Sequence, residues 1–403
     1  MRVTSAATSL PGRGAAALLG DITELRLGTE PDFVLLYCNG GHRPADLADA
    51  LAQRWPRTFI QAGTSCRAVI TEEGILGGDE PAAALWAAVA EPGSFGVGAA
   101  PIEEAPRRAA AGALHQALRR AGREGETPDL IWLAAAPGHE EELLRGLAEA
   151  VGPSVRVFGG STADDHLQGL WQQAVAWGEN REVLVDGVTV TVFFSSEPIS
   201  CAFRNGYEPT TTSWIVTRTE GRVILELDGS PAARVYGEAL GGLVPPDVIV
   251  DGGNILSIGT MNPFGRCLGR HGALEYYLLC HPEAVVGGSG LRCFSTLQSG
   301  DELFLMHGSK ENLIKRPERV VHTALQAEDL AAEEIAGALV VICGGCLLEI
   351  WQERRQIADS LRRRFKGRPF LGIFTFGEQG SYGLGANLHG NLMMSATVFG
   401  GAP

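Results

Sequence analysis

The chain has no long hydrophobic run and no block of basic residues. A membrane-spanning helix needs about 18 consecutive apolar residues, and no stretch reaches that length. The Ala/Leu run near the start is broken by Pro11 and Arg13, so no secretory signal is expected. Lys and Arg number 33 against 47 Asp and Glu, and the net charge of −14 repels phosphate backbones and anionic lipids. These features argue against membrane insertion, secretion and nucleic-acid binding.

Cysteine motifs are also scarce. The eight cysteines include a single CxxC, at Cys343 and Cys346, and neither a second CxxC for a zinc site nor a CxxCH haem-attachment motif is present. The pair follows a predicted strand and precedes a predicted helix, which fits either redox exchange or a structural role. Other cysteines lie in apolar segments, where thiols pack as small hydrophobes. We therefore expect a cytoplasmic protein that requires no metal or cofactor.

One supersecondary unit recurs three times along the chain. Each copy contains an apolar strand, a helix and a second strand, and each ends in a small polar turn. The copies and their turns are 33–60 with 63–66, 130–158 with 159–164, and 339–374 with 375–378. Alternating segments between the copies predict antiparallel strands. The sequence therefore predicts an α/β protein with some α+β character, in which helices flank mixed sheets built around strand-helix-strand units.

The length of the chain favours two domains, which we place at 1–227 and 228–403. Two further helices are predicted at 106–120 and 317–326, because proline suits the first turn of a helix. The helix of the last strand-helix-strand copy is predicted at about 349–365.

Short motifs of glycine and polar residues follow one another along almost the whole chain. In the first half they are the turns at 63–66 and 159–164, followed by Asn205-Gly206-Tyr207. In the second half they are Met261-Asn262-Pro263, Gly265-Arg266, His281-Pro282-Glu283, and 376–380 with His389 and Asn391. In this order they resemble the FIST (F-box and intracellular signal transduction) family. The landmarks of its N-terminal domain begin at about residue 30, and its C-terminal domain follows.

The resemblance implies a sensory module for small ligands in intracellular signal transduction. Some relatives bind haem and sense nitric oxide, so haem sensing is an alternative function. The sequence contains no kinase, cyclase, methyl-accepting or F-box segment. A separate output protein is therefore the expected partner. A protein-interaction scaffold without a ligand is a further alternative.

The polar turns are the predicted ligand site. Backbone N–H groups and hydroxyls at strand ends can converge on a small anion such as the carboxylate of an amino acid. The predicted ligand-binding residues are Thr64, Ser65, Cys66, Gly160, Ser161, Thr162, Asp164, Asn262, Arg266, Glu378, His389 and Asn391. The alternative is structural, because residues of these types also cap helices and hold turns.

Two other kinds of site are considered. Haem would need an axial histidine, for which the candidates are His271, His281, His307, His322 and His389. Aromatic candidates for lining a cavity are Trp171, Tyr207 and Trp214. A hydrolase or transferase would use Cys66 or Ser161, but no histidine base is identifiable by spacing. No catalytic residue is therefore predicted, and a binding protein is favoured over an enzyme.

Overall fold

Helices flank β-sheets throughout the computed structural model, which describes residues 1–271, 274–383 and 385–401. The predicted α/β class with mixed sheets is confirmed. In this part of the chain, every helix falls short of the length and apolar character that a bilayer crossing requires. Three of the sheets have six strands and contain both parallel and antiparallel pairs.

The first structural unit is built on the first predicted strand-helix-strand copy. Its elements are β1 (Arg2–Thr8), α1 (Arg13–Leu27), β2 (Phe33–Cys38), α2 (Pro44–Arg54), β3 (Phe59–Thr64), β4 (Ala68–Thr71), β5 (Gly74–Gly77) and β6 (Ala83–Val89). β2 and β3 are parallel, and β6 pairs antiparallel with both β2 and β1. All six residues of β2 are buried, which explains why this strand reads as a continuous apolar run.

The second unit repeats this order around the second copy. Its elements are β7 (Phe95–Pro101), α3 (Pro106–Ala121), β8 (Leu130–Ala135), α4 (Glu140–Val151), β9 (Arg156–Ser161), β10 (Gln173–Trp177), β11 (Asn180–Leu184) and β12 (Gly187–Phe193). β8 and β9 are parallel, and β12 pairs antiparallel with both β8 and β7.

A separate antiparallel sheet interrupts the third unit after β13 (Ile199–Arg204). We call residues 205–309, which contain this sheet, the inserted module. Its elements are β14 (Glu208–Glu220), β15 (Val223–Leu227), β16 (Ser230–Pro231), α5 (Ala232–Ala239), α6 (Pro246–Asp251), β17 (Gly253–Asn254), α7 (Leu256–Met261), β18 (Phe264–His271), β19 (Leu274–Cys280), β20 (Pro282–Val286), β21 (Gly290–Cys293) and β22 (Glu302–His307).

The third unit then continues around the last copy. Its remaining elements are α8 (Lys310–Ala327), β23 (Ile335–Cys343), α9 (Gly344–Glu349), α10 (Arg354–Arg364), β24 (Phe370–Thr375), β25 (Glu378–Ser381), β26 (Asn387–Gly390) and β27 (Met394–Gly400), with 3₁₀ turns at Ala332–Glu334 and Trp351–Glu353. β23 and β24 are parallel, and β27 pairs antiparallel with both β23 and β13.

The three units exchange hairpins in a cycle. The hairpin β4–β5 leaves the first unit and pairs with β24 of the third, whereas β10–β11 leaves the second and pairs with β3 of the first. The hairpin β25–β26 leaves the third and pairs with β9 of the second. All three six-stranded sheets consequently have the same strand order. The sheets also join strands from both sides of residue 227, and the boundary at that residue stays a prediction.

Two predicted helices differ from those in the structure. The helix predicted at 317–326 begins instead at Lys310, because Ser309 accepts a hydrogen bond from the Asn312 N–H and caps its start. Pro317 therefore lies inside the helix, and the prediction that the helix begins at this proline was wrong. The helix predicted at 349–365 is divided into α9, a 3₁₀ turn and α10. In this turn the Trp351 ring stacks on the guanidinium of Arg67, whose Cζ lies 4.9 Å from the ring centroid.

Candidate functional site

The three predicted polar turns lie side by side at the centre of the molecule. Main-chain hydrogen bonds connect them in a cycle: Cys66 N–H to Phe374 O (2.9 Å), Ala163 N–H to Thr64 O (3.2 Å) and Phe376 N–H to Ser161 O (3.1 Å). The first turn therefore contacts the third unit, the second turn contacts the first unit, and the third turn contacts the second unit. The exchanged hairpins connect the same pairs of units.

Each turn also faces the loop that precedes a helix in a neighbouring unit, which creates three equivalent junctions. At the first junction, loop 39–43 meets turn 162–172, and Asp165 Oδ2 accepts a hydrogen bond from the Gly40 N–H at 3.0 Å. The second junction joins residues 136–140, at the start of α4, to turn 375–378, and the third joins residues 343–346, at the start of α9, to turn 64–67. These junctions are the places where side chains from two units come together.

The inserted module covers two of the three junctions. At the second junction, Arg222 Nη2 lies 2.7 Å from Glu140 Oε2. At the third, the Tyr207 hydroxyl lies 3.6 Å from Cys346 Sγ. At the first junction a cavity of about 620 Å³ is lined only by residues from 39–80 and 163–185. We call this the open cavity.

Three residues that line the open cavity each have a buried polar side-chain atom without a hydrogen-bond partner in the described part of the chain. They are His42 Nε2, Arg67 Nε and Gln172 Oε1. The His42 side chain is only 9% exposed, and burial lowers its pKa. A buried polar atom without a partner costs about 1–3 kcal/mol. Three residues with such atoms thus surround one cavity.

Two predicted ligand residues, Thr64 and Asp164, line the open cavity, as does Trp171. Asp164 accepts hydrogen bonds from the backbone N–H groups of 166, 168 and 170 at 2.7–3.0 Å. Thr64 Oγ1 accepts one from the Gln172 N–H at 3.1 Å. Both residues therefore shape the wall of the cavity by holding the turn.

The other predicted residues of the first two turns lie deeper. Ser65 Oγ donates to Ala68 O at 2.6 Å, and Thr162 Oγ1 donates to Gln173 Oε1 at 2.8 Å. Cys66 is buried, and burial raises its pKa to about 12. Gly160 packs against Thr375 so closely that a Cβ atom would lie 2.5 Å from the threonine methyl group. These residues hold the turns against each other.

A buried cluster of charges occupies the second junction. Glu140 accepts a hydrogen bond from Ser161 Oγ at 2.8 Å, and Arg222 Nη2 bridges Glu140 and Glu141 at 2.7 and 2.6 Å. His389 Nδ1 lies 3.2 Å from Glu141 Oε1. Burial opposes the protonated form of His389, but the two carboxylates outweigh it and raise its pKa. The cluster joins the second unit, the inserted module and the third unit.

The donor atoms of Glu140, Glu141 and His389 lie within 4.8 Å of one another, which is close enough for a metal ion. However, the guanidinium of Arg222 bridges both carboxylates. Its positive charge takes the place that a cation would need. The cluster is therefore better described as an ion-pair network than as a metal centre.

A smaller cavity of about 230 Å³ adjoins this cluster, and two predicted residues, Arg266 and His389, line it. Asn391 Nδ2 lies 3.4 Å from His389 Nε2, behind the cavity. Glu378 accepts hydrogen bonds from Thr375 Oγ1 and the Met393 N–H, and burial raises its pKa. Asn262 ends α7, where its amide donates to the carbonyl of residue 258 at 3.0 Å. The predicted ligand-binding residues are thus divided among several parts of the fold and do not form one site.

The haem candidates differ in their surroundings. His281 Nε2 contacts Leu256 O at 2.9 Å, and burial lowers its pKa to about 4. His307 and His322 are exposed, and His389 belongs to the charge cluster. The side chain of His271 lies outside the described residues. Haem binding stays a prediction, and the Soret absorption of the purified protein tests it.

The charge cluster makes stability depend on pH. Burial raises the pKa of Glu141, but His389 and Arg222 outweigh it, and the net shift is downward. A carboxylate with a lowered pKa stabilises the fold above its unfolded pKa of about 4.3, and this contribution is lost as pH falls through the folded value. His389 has a raised pKa in the folded protein, so it stabilises the fold below its unfolded pKa of about 6.5. This contribution is lost as the pH rises through the folded pKa.

We therefore expect the contribution of this cluster to the free energy of unfolding to be greatest between about pH 4.3 and 6.5. His389→Gln should flatten the decline on the alkaline side in urea titrations at a series of pH values. His115→Gln, at an exposed position on α3, is the control and should leave the pH profile unchanged. An unchanged profile in His389→Gln would contradict the ion-pair assignment.

Comparison with protein families assigns the chain. The FIST N domain matches residues 32–230, and the FIST C domain matches residues 232–381. This chain belongs to the FIST family. The predicted family is therefore confirmed, and FIST domains are sensory domains of signal transduction. The FIST C domain begins inside the inserted module, after β16, and continues into the third unit, whereas the open cavity lies in the FIST N domain.

Two individual relatives add little to the family assignment. A protein of Methanocaldococcus jannaschii described as uncharacterized is 32% identical over 112 residues, which is 27% of this chain and 21% of that protein. This chain thus matches about a fifth of the length of that relative. The crystal structure of cyanuric acid hydrolase from A. caulinodans covers 99% of both chains with 10% identity and a TM-score of 0.38. That likeness carries no conclusion about activity.

Sequence reasoning missed several residues of the FIST N domain that the structure places at the junctions. His42 follows Asn39-Gly40-Gly41 at the end of β2, a strand-end loop of the kind used to find the other turns. Glu140 and Glu141 stand in a run of three glutamates, which from the sequence alone indicates only favourable charges at a helix start. Arg222 lies in the turn between β14 and β15, and no local pattern marks it.

Proposed function

We propose that this FIST protein senses a small polar ligand that binds in the open cavity at the first junction. The observation that carries the proposal is that three residues lining one cavity each keep a buried polar side-chain atom without a partner among the described residues. The cavity of about 620 Å³ falls within the range of roughly 300–1,000 Å³ that small-molecule sites occupy.

The chemistry of these atoms indicates what the ligand carries. Arg67 Nε is a donor and suits a carboxylate, whereas Gln172 Oε1 is an acceptor and suits an amine. His42 Nε2 can donate or accept, depending on its tautomer. An amino acid, or a similar small anion with an additional N–H group, offers this combination of partners.

Arg67 gives the ligand a route to the third unit. Its guanidinium stacks on Trp351 at 4.9 Å and pairs with Asp79 at 3.1 Å. A ligand that binds Arg67 competes with these contacts and thereby biases the packing of β4–β5 against the third unit. An output protein that recognises this surface would detect the change, in agreement with the sensory role of the family.

Ligand binding can be tested by a thermal-shift screen of amino acids and small carboxylates, followed by calorimetric titration of any compound that stabilises the protein. His42→Ala and Gln172→Ala should each weaken binding about 5- to 30-fold, because each removes a hydrogen bond worth about 1–2 kcal/mol. His115→Ala and Gln326→Ala, at exposed positions outside the cavity, are matched controls. A ligand that binds the wild type and both cavity variants equally would place the site elsewhere.

A further inference from the structure

The third unit concentrates positive charge in an otherwise acidic chain. Segments 310–322 and 354–368 contain eleven of the 33 Lys and Arg but three of the 47 Asp and Glu, a local net charge of +8 in a chain of −14. All three lysines of the chain, Lys310, Lys315 and Lys366, belong to these segments. Both segments lie within the FIST C domain, and their charge is opposite in sign to that of the remaining residues.

The helix pairs of the three units differ in charge. α1 and α2 together carry −1 and α3 and α4 together carry +1, whereas α8 and α10 together carry +6. In the second unit, for example, Arg107 of α3 pairs with both Glu142 and Glu149 of α4. The positive excess is therefore specific to the third unit and is not a property of the helix layer of this fold.

This charge lies at the surface, because each helix turns an apolar side inward. α8 packs on β13 and β27, and α10 packs on β4 and β5. We call the outer side of α8 and α10, with the loop 366–368 that follows α10, the basic face. Its exposed cations are Lys315, Arg319, Arg355, Arg362, Arg363 and Lys366.

Most cations of the basic face have no carboxylate partner. Lys315 pairs with Glu311, and Lys366 pairs with Glu333. Among the residues that the structure describes, no carboxylate lies within ion-pair distance of the other four cations, and Arg319 donates instead to the neutral Asn312 side chain at 3.0 Å. Exposed charges of one sign repel each other, so an anion from outside the chain would relieve this repulsion.

A groove of about 300 Å³ between α8 and α10 gives such an anion a place on the basic face. The groove is lined by Lys315, Glu318, Arg319, His322 and Arg364. Glu318 is the acidic residue among them, and it already pairs with Arg364. The groove therefore offers cationic N–H donors to an acidic side chain.

We propose that the basic face binds an acidic segment, rich in Asp and Glu, of a partner protein. The four cations without a carboxylate partner are all arginines, whose planar fork of N–H donors matches a carboxylate bidentately. Arginine is also enriched at protein interfaces, whereas lysine is depleted there. The FIST C domain thus supplies the docking surface for the output protein.

The distribution of charge favours a short protein segment over a nucleic acid or a membrane. Charges more than about 8–10 Å apart are largely screened at physiological ionic strength, so a segment that lies on the basic face responds to the local charge of +8. A duplex or a bilayer extends over a larger part of the surface. It would also meet the acidic remainder of the chain, which repels it.

The basic face adjoins a residue that contacts the open cavity. Trp351 lies in the 3₁₀ turn directly before α10, and its ring centroid is 4.9 Å from Cζ of Arg67 and 4.2 Å from Cζ of Arg354. Arg354 is the first residue of α10. A ligand bound at Arg67 would therefore act next to the docking surface. This connection rests on the proposed function, whereas the docking itself does not.

Fluorescence anisotropy of a labelled octaglutamate peptide tests the docking. The full chain is titrated without any small ligand, so the result is independent of ligand binding in the open cavity. We expect the peptide to bind at low salt and to bind more weakly as NaCl is added. A labelled octaglutamine peptide should not bind. If octaglutamate failed to bind at low salt, the proposal would be wrong.

Paired variants locate the binding surface. Arg362→Gln combined with Arg363→Gln should weaken octaglutamate binding about tenfold, because two ion pairs are lost. Glutamine has nearly the helix propensity of arginine, so α10 is retained. Arg13→Gln combined with Arg108→Gln removes the same charge from exposed positions on α1 and α3 and should leave the affinity unchanged. Equal losses in the two double variants would overturn the proposal, because binding would then follow net charge alone.

Two further measurements identify other occupants of the basic face. Phosphatidylserine vesicles and single-stranded DNA are titrated under the same conditions, and both should bind more weakly than octaglutamate. Tighter binding of either would overturn the proposal in favour of a membrane or a nucleic acid. Sedimentation velocity should give the same mass for the wild type and for Arg362→Gln with Arg363→Gln. Self-association that only the wild type shows would assign the face to a second copy of the chain and would also overturn the proposal.

Discussion

Replacing Arg222 with methionine is expected to lower the free energy of unfolding by about 3–5 kcal/mol, the usual loss when one partner of a buried ion cluster is removed. The Arg222 side chain is 22% exposed, and it bridges Glu140 and Glu141. Without it, His389 alone faces the buried carboxylate of Glu140 and the half-buried carboxylate of Glu141. Urea unfolding near neutral pH measures the loss.

Arg218→Met provides the control for this variant. Arg218 lies on the same hairpin and pairs with Glu226 at the surface, where an ion pair contributes about 0–1 kcal/mol. Adding Glu140→Gln and Glu141→Gln to Arg222→Met should restore part of the stability, because the uncompensated charges are removed. If Arg222→Met were no more costly than Arg218→Met, the cluster would not be what holds the inserted module on the second junction.

Replacing Phe193 with alanine is expected to destabilise the whole chain by about 3–5 kcal/mol, as usual for removal of a buried phenylalanine. Phe193 belongs to the second unit. Its ring centroid lies 5.4 Å from that of Phe33 in the first unit and 5.4 Å from that of Phe399 in the third. These rings form one apolar core shared by all three units. The cavity that the variant leaves therefore weakens each unit at once.

Differential scanning calorimetry distinguishes this outcome from a local one. A single transition that moves to lower temperature is expected for Phe193→Ala. Leu25→Ala, at a position that is 85% exposed on α1, should change the free energy of unfolding by less than about 0.5 kcal/mol. A transition that splits, with only one part shifted, would show that the units unfold separately and that the shared core does not couple them.

The sequence predicted the strand-helix-strand copies because their signals are local. β2, β8 and β24 are continuous apolar runs, and all of their residues are buried. The partners of the exchanged hairpins were not predictable in the same way. Ile70 pairs opposite Gly372, and nothing in the four residues of β4 specifies a partner so far along the chain. The local sequence pattern determines whether a segment forms a helix or a strand, whereas the pairing partner of a strand depends on the packing of the whole fold.

The same distinction applies to the sites. Thr64 and Asp164 were found because glycine-rich turns are visible in the sequence, and they do line the open cavity. Arg222 was missed, because its role comes from charges that lie far away in the chain. A single arginine in an amphipathic helix such as α8 reads as a surface residue, yet Arg316 on that helix is buried.

The cyclic exchange of hairpins also constrains the order in which the chain can fold during synthesis. The sheet of the first unit needs β10–β11 from the second, the sheet of the second needs β25–β26 from the third, and β4–β5 must wait for β24. A nascent first unit cannot complete its sheet at the β3 edge, because that edge pairs with β10 of the second unit, and such long-range pairing is slow. The outer edge of β4 likewise stays unpaired until β24 has been made, and an unpaired strand edge of this kind is prone to aggregation.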